Sequence, residues 1–171
     1  VDFLLLAGDI YDRDWQDFHT GLFFRGQMVR LERAGIRCFI VQGNHDAQGV
    51  ISRQLTLPSN VTVFSSRAAQ TIRLDDLSVA IHGRSFPERE VNEDLVPSYP
   101  PPVPGFFNIG LLHTSLTGRA GHDTYAPTDL PTLVAKGYDY WALGHVHARE
   151  VLNERPRIVF CGNLQGRHAK E

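Results

Sequence analysis

The stretch of residues 36–46, IRCFIVQGNHD, decides the fold of this chain. Residues 36–41 form an almost continuous apolar run, which is typical of a strand buried in a parallel sheet. After Gln42, Gly43 and the polar residues 44–46 follow this run. A sharp turn after a strand requires unusual backbone angles, and glycine adopts them at little cost. The stretch therefore predicts a buried strand that presents polar side chains at the edge of a sheet.

The preceding residues complete a β-α-β unit. Phe3–Ala7 is a second apolar run, which predicts a strand buried on both faces, and Gly8 and Asp9 follow it. Residues 17–34 predict a helix, because their apolar residues fall largely on one helical face and a glycine ends the segment. The predicted apolar face comprises Phe18, Leu22, Met28, Val29 and Leu31. Parallel strands bring their carboxyl ends to one sheet edge, so Asp9 should lie beside residues 44–46.

The rest of the chain continues in strands and helices. Further strands are predicted at residues 61–64, 71–74, 78–82, 108–112 and 138–143, with a hairpin at 149–152 and 157–161. Helices are predicted at residues 88–95 and 128–136, and an extended proline-rich connector at 97–104. This order indicates an α/β fold.

Composition limits the class of protein. The 171 residues are 42% hydrophobic and 21% charged, which suits one soluble domain over residues 1–171. The sequence contains no apolar stretch long enough to span a bilayer, so we expect no membrane association. The formal net charge of −2 provides no overall basic field, and contact with nucleic acid would need a local patch.

The cysteines and the ends of the chain indicate its compartment. Cys38 and Cys161 lie in apolar runs without CxxC spacing, which predicts buried, reduced thiols. The chain opens inside a strand without a secretory signal and ends on polar residues. We therefore expect a cytoplasmic fragment of a longer protein, incomplete at both termini.

Several strand ends carry residues that can bind metal. They are Asp9, Asn44 with His45, His113, and His145 with His147. Carboxylate and amide oxygens together with imidazoles suit manganese, iron or zinc. A single histidine such as His113 is more often structural, but ligands collect at the carboxyl ends of strands in α/β sheets. Together these residues predict a metal-dependent hydrolase.

The same clusters resemble the calcineurin-like metallophosphoesterase superfamily, whose ordered signature is DxH, GDxxD, GNHD, a lone His and GHxH. Four of the five parts stand in order, at residues 8–12, 43–46, His113 and 144–147, whereas no such DxH triplet is present. Residues 11–15, 20–24 and 162–168 are similar to the SbcD and YhaO-like branch of bacterial DNA repair exonucleases. The resemblance implies a four-layer α/β/β/α sandwich of two mixed sheets flanked by helices, truncated at both ends.

The resemblance also implies roles for individual residues. Asp9 would bridge two divalent ions, with manganese preferred and iron or zinc possible, while Asn44, His113 and His145 would bind one ion and His147 the other. His45 would reach the scissile phosphate without binding metal, and Asp46 would orient His45 or a ligand. Because the DxH cluster is absent, the ion bound by His147 would keep only Asp9 and His147 as ligands. One site should therefore be incomplete and the fragment weakly active or inactive.

The implied reaction is phosphodiester hydrolysis of DNA by a bridging hydroxide, in an exonuclease that works with an SMC-like coiled-coil ATPase. Two alternatives stay open. Metal ligands do not choose the substrate, so a phosphomonoesterase or a cyclic-nucleotide phosphodiesterase would use the same centre. A non-catalytic metal-binding module is the third hypothesis.

Other polar and aromatic residues carry weaker hypotheses. Arg119 and His122 lie in a glycine-rich polar stretch that could touch a phosphate backbone, although a solvated loop is the simpler explanation. Asp12 would lie near the site or cap a turn. His82 and His19 are assigned structural or surface roles. Phe23 and Phe24 are assigned to packing rather than to stacking on bases.

Overall fold

The computed structural model describes residues 1–11, 18–47, 55–117 and 125–164. The strands are β1 (Phe3–Ala7), β2 (Arg37–Val41), β3 (Val61–Val63), β4 (Gln70–Leu74), β5 (Val79–Gly83), β6 (Phe107–His113), β7 (Tyr140–Gly144), β8 (Glu150–Glu154) and β9 (Arg157–Phe160). The helices are α1 (Phe18–Arg33) and α2 (Leu130–Ala135), and a short 3-10 helix spans Val96–Ser98. Within these ranges, no helix combines the length and the apolar character that crossing a membrane would require.

The first sheet contains β1, β2 and β3, and both of its strand pairs are parallel. In the β1–β2 pair, Phe3 lies opposite Arg37 and Ala7 opposite Val41. β1 is only half-buried along its length. The prediction of burial on both faces is therefore wrong. Among the described residues, β1 pairs with a strand only on its β2 side.

Helix α1 begins and ends within one residue of the predicted segment 17–34 and packs on β2. Met28 is buried, as predicted. Leu22 is 58% exposed and Phe23 is 69% exposed, so the packing roles assigned to both are wrong. A helix turns about 100° per residue, and Leu22 therefore points about 120° away from Met28. Phe24 does pack, with its ring 5.8 Å from that of Tyr11.

The second sheet has the order β4-β5-β6-β7-β9-β8 and is mixed. Its central strands β5, β6, β7 and β9 are parallel, while β4 and β8 pair antiparallel at the two edges. β8 and β9 form the hairpin that the sequence predicts. The parallel centre directs four strand ends toward the same side of the molecule.

Two apolar clusters show how the layers are stacked. One joins Phe39 of β2 to Ile81 and Leu111 of the second sheet, so it lies between the sheets. The other joins Trp141 of β7 to Leu133 of α2 and covers the outer face of the second sheet. Residues alternate across a strand, so Phe39 faces inward and its neighbours in β2 face α1. The predicted four-layer α/β/β/α sandwich is confirmed, whereas the prediction that both sheets are mixed is wrong for the described strands, because the first sheet is parallel throughout.

Residues 88–95 do not form the predicted helix. The carbonyl oxygen of Val91 accepts a hydrogen bond from Ala126 N, and Asp94 accepts one from the hydroxyl of Thr128 at 3.0 Å. These polar groups therefore bond to the segment around Ala126 instead of to a helical turn. The prediction is wrong because a long-range partner replaces the local hydrogen bonds.

Gly144 ends β7 where that strand faces β1. A Cβ atom at this position would collide with the carbonyl oxygen of Ala7, and a backbone atom cannot rotate away. We expect Gly144→Ala to lower the free energy of unfolding by about 3 kcal/mol. Gly26 is the matched control, because a Cβ atom in this helical position meets nothing within 4 Å. Gly26→Ala should raise the free energy of unfolding by about 0.5–1 kcal/mol. Urea unfolding measures both changes, and similar values for the two variants would contradict the expectation.

His82 is fully buried in β5 and has the contacts of a structural histidine. Its Nδ1 lies 2.8 Å from Thr71 Oγ1, and its Nε2 lies 3.0 Å from Asn108 Oδ1. The ring stacks on Tyr138. Asn108 Oδ1 also accepts a hydrogen bond from Val103 N at 2.7 Å. His82 thus helps to hold the proline-rich connector against the second sheet.

The burial of His82 predicts a pH dependence of stability. Desolvation lowers the pKa of His82 below its ordinary value of 6.5, so the unfolded chain takes up a proton more readily than the folded one. The free energy of unfolding should therefore fall as the pH drops below about 6.5. We expect His82→Gln to reduce this fall. Urea unfolding at about pH 7.5 and about pH 5.5 measures it, and an equal fall in both proteins would contradict the assignment.

Candidate metal centre

The carboxyl ends of β1, β2, β6 and β7 meet at one edge of the sandwich. β1 and β2 are parallel in the first sheet, β6 and β7 are parallel in the second, and β1 packs against both β6 and β7. His113 at the end of β6 consequently reaches the end of β1, with its Nδ1 2.8 Å from the carbonyl oxygen of Ala7. Residues distant in sequence therefore share one edge.

Asp9, His113 and His145 lie at the centre of this edge. One carboxylate oxygen of Asp9 and one ring nitrogen of each histidine all lie within 4.8 Å of one another. Asn44 is buried beside them, with its Oδ1 2.9 Å from His113 Nε2. The structure thus brings together the four residues that the sequence predicts as ligands of one ion.

The hydrogen bonding of His113 fits a cation at this place. Because the carbonyl oxygen of Ala7 can only accept, His113 Nδ1 must carry the proton. In a neutral ring, Nε2 then has a lone pair that faces Asn44 Oδ1 at 2.9 Å and Asp9 Oδ2 at 3.4 Å. Three acceptor atoms pointing at one another repel, whereas a divalent ion between them would be attracted by all three. The residues present therefore fit a bound metal.

Two of these residues have unusual backbone angles. Asp9 has a φ of 53° and His145 has a φ of 98°. Non-glycine residues in this region carry strain of about 1–3 kcal/mol each, and such strain clusters at functional sites. The turns after β1 and β7 therefore hold both side chains in positions that a relaxed chain would seldom adopt.

His45 and Asp46 follow Asn44 in the turn after β2 and occupy different environments. His45 is half-buried, and its backbone N–H donates to Asp9 Oδ1 at 3.0 Å. Asp46 is only 1% exposed, and this burial raises the pKa of its carboxyl group. Its oxygens accept hydrogen bonds from the backbone N–H groups of Tyr11 and Gly43. Asp46 therefore binds loop backbone close to the centre.

A cavity of about 580 Å³ opens beside the centre, lined in part by Asp9, His45, His147 and Asn163. His147 is exposed and lies outside the close cluster of Asp9 with the two other histidines. Cys161 also lines the cavity and is exposed, so the prediction of a buried thiol is wrong there, whereas Cys38 is buried. Cys161 follows the last residue of β9, where the sheet no longer covers it.

Some residues near the centre have no motif that predicts them. The ring of Tyr125 lies 5.5 Å from that of His145, edge to face, and the ring of Phe86 lies 5.3 Å from that of His113. Both restrict an imidazole through packing. Asn163 is different, because the Gly-Asn turn that contains it is visible in the sequence. Its N–H donates to the carbonyl oxygen of His147 at 2.9 Å and so holds the turn beside the cavity.

Three predicted residues lie outside the described part of the chain. They are Asp12, Arg119 and His122. Their suggested places near the metals or on a phosphate backbone stay predictions.

Known proteins resemble this chain over most or all of its length. The calcineurin-like phosphoesterase family model matches residues 1–149. "Uncharacterized metallophosphoesterase YhaO" of Bacillus subtilis (strain 168) is 39% identical over 175 residues, which cover 100% of this chain and 43% of YhaO. "DNA double-strand break repair protein Mre11" of Methanopyrus kandleri is 25% identical over 164 residues, which cover 86% of this chain and 36% of that protein. The chain thus spans less than half the length of both relatives.

Proposed function

Because this chain belongs to the calcineurin-like phosphoesterase family, we propose that it hydrolyses phosphodiester bonds at the edge formed by Asp9, Asn44, His113 and His145. The observation that carries the proposal is the convergence of their acceptor atoms, within 4.8 Å for Asp9 and the two histidines, beside an open cavity. Convergent polar groups in a cavity of this size class are typical of catalytic sites.

The proposed substrate is DNA, and the proposed activity is that of a repair exonuclease. The relative from Methanopyrus kandleri carries DNA double-strand break repair in its name and aligns with 86% of this chain, which supports the choice. The net charge of −2 does not attract DNA by itself, so binding would depend on groups around the cavity. A coiled-coil ATPase partner stays a prediction.

The residues suggest how two ions would be held. Asp9, Asn44, His113 and His145 would bind the first ion, while His147 and Asp9 would bind the second. When bound, divalent ions stabilise the charge that develops on the phosphoryl oxygens. We propose manganese, since oxygen and imidazole donors together suit this metal, with iron or zinc as alternatives. Within the described residues, the second ion has fewer ligands than the first, so we expect it to bind more weakly.

His45 is the proposed catalytic residue that does not bind metal. Its backbone N–H is held by Asp9 at 3.0 Å, and the residue lines the cavity. A protonated imidazole there can donate a hydrogen bond to the phosphate and a proton to the leaving oxygen. Because Asp9 holds this turn and would also bind the metal, it would keep His45 beside the metal-binding edge.

The test uses the full-length natural protein and compares three substrates at equal protein and manganese concentration. They are end-labelled linear duplex DNA, a cyclic nucleotide and an aryl phosphomonoester. Faster manganese-dependent release of label from DNA would support the nuclease proposal. Preferred hydrolysis of either small ester would replace DNA as the substrate. Manganese binding without hydrolysis of any of the three would indicate a non-catalytic metal-binding module.

A further inference from the structure

We propose that Asp9 and Asp46 form a crossed clamp that assembles the metal-binding edge, because each carboxylate holds the backbone of the loop that carries the other. The two loops are residues 8–11 after β1 and residues 43–47 after β2. In this inference Asp46 is a positioning residue that acts through the ligands. The inference rests on the proposed function only in taking this edge to be the metal site.

Asp46 supplies one half of the clamp. Its Oδ1 accepts a hydrogen bond from Tyr11 N at 3.0 Å, and its Oδ2 accepts one from Gly43 N at 3.1 Å. The side chain is 1% exposed. Burying a carboxylate is costly unless donors satisfy it, and hydrogen bonds to an ionised acceptor are strong. The carboxylate of Asp46 therefore joins its own loop to the loop that carries Asp9.

Asp9 supplies the other half. Its Oδ1 accepts a hydrogen bond from His45 N at 3.0 Å, across the gap between the same two loops. Its Oδ2 lies 3.4 Å from His113 Nε2, on the side of the proposed metal. Thus Oδ1 of Asp9 takes part in the clamp, and Oδ2 faces the ligand cluster. The position of the ligand oxygen therefore depends on the loop geometry.

The clamp begins where the sheet ends. The last paired residues of β1 and β2 are Ala7 and Val41. Beyond this pair, the crossed carboxylates continue the connection between the two segments. The approach is close, because a Cβ atom at Gly43 would lie 2.5 Å from Asp9 Oδ1. The three hydrogen bonds lie within the protein, so they require no metal to form.

Hydrogen exchange of the metal-free protein tests the clamp without any activity measurement. We expect slow exchange of the backbone amides of Tyr11, Gly43 and His45, because each donates to a buried or half-buried carboxylate. If all three exchange at the rate of an open loop and become slow only when Mn²⁺ is added, the metal and not the clamp orders the edge, and the inference is overturned.

Asp46→Asn tests the positioning role. The amide keeps the shape of the carboxylate but turns one acceptor into a donor, which must face a backbone N–H. We expect faster exchange at Tyr11 or Gly43 and a Kd for Mn²⁺ that rises about 10–100-fold, as for other residues that orient ligands. A merely structural loss would leave the Kd of the folded variant unchanged.

Asp139→Asn is the matched control. Asp139 also accepts a hydrogen bond from a backbone N–H, that of Asn108 at 2.7 Å, and it lies just before β7, at the end of this strand opposite to the metal-binding edge. We expect it to change the Kd for Mn²⁺ by less than about twofold, because distant sites are usually independent. An Asp46→Asn protein that is folded and binds Mn²⁺ like this control would overturn the positioning role. If the Asp46→Asn variant does not fold, hydrogen exchange in the unsubstituted protein tests the inference instead. Hydrogen exchange and the Kd for Mn²⁺ can both be measured without hydrolysis. A negative hydrolysis assay is therefore distinguishable from failure of the clamp.

Discussion

Asp9→Asn is expected to raise the Kd for Mn²⁺ by about 100-fold or more, since the loss of a charged ligand should exceed the effect of changing an orienting group. The amide oxygen can still accept the hydrogen bond from His45 N, which Asp9 Oδ1 accepts at 3.0 Å. The substitution therefore alters mainly the atom that faces His113. Calorimetric titration with Mn²⁺ measures the change, and phosphodiester hydrolysis at low manganese should fall in parallel.

Asp2→Asn provides the control for this result. Asp2 is exposed, and its loss also removes one negative charge. The control should bind Mn²⁺ with a Kd within about twofold of the unsubstituted protein. An Asp9→Asn protein that is folded and binds as tightly as this control would exclude Asp9 from the metal site.

His45→Ala should lower kcat on the preferred phosphodiester by about 10²–10⁴-fold, the usual effect of losing a general acid. The Kd for Mn²⁺ should change little, because the contact of this residue with Asp9 is made by its backbone N–H. Alanine retains that N–H. The measurement is kcat at saturating manganese together with a manganese titration, so that chemistry and metal binding are separated.

His19→Ala is the matched control for the loss of an imidazole. His19 is exposed in α1, and the substitution should leave kcat unchanged. A His45→Ala protein with kcat within about tenfold of this control would disprove the acid role. A large loss of manganese affinity in the same variant would instead make His45 a ligand.

Local patterns predicted much of the fold. The apolar run of Phe3–Ala7 and the run before Gly43 are strands, and α1 lies within one residue of its predicted bounds. These elements follow from side-chain spacing over a few residues, which any sequence shows directly. The errors arise where residues distant in the sequence determine which side chains are buried. Leu22 suits a buried helical face, but burial depends on where the sheet lies, and it is 58% exposed.

The candidate site was likewise predicted only in part. The order of Asp9, Asn44, His113 and His145 along strand ends is a property of the sequence, and it sufficed to predict a metal centre. The packing around the site could not be predicted from the sequence, because no motif marks Tyr125, whose ring lies against that of His145. That contact exists only when the folded chain brings Tyr125 to the end of β7.

By itself, the sequence determined which residues end strands, which glycines turn the chain and which donor atoms are available. Only the tertiary structure decided how those atoms meet. Asp46 bonds to a backbone amide 35 positions away, and His113 bonds to a carbonyl 106 positions away. Such bonds depend on how two sheets pack and on the register of their parallel strands. Because packing is a property of the whole chain, the hydrogen bonds of Asp9, Asp46 and His113 become visible only in the folded molecule.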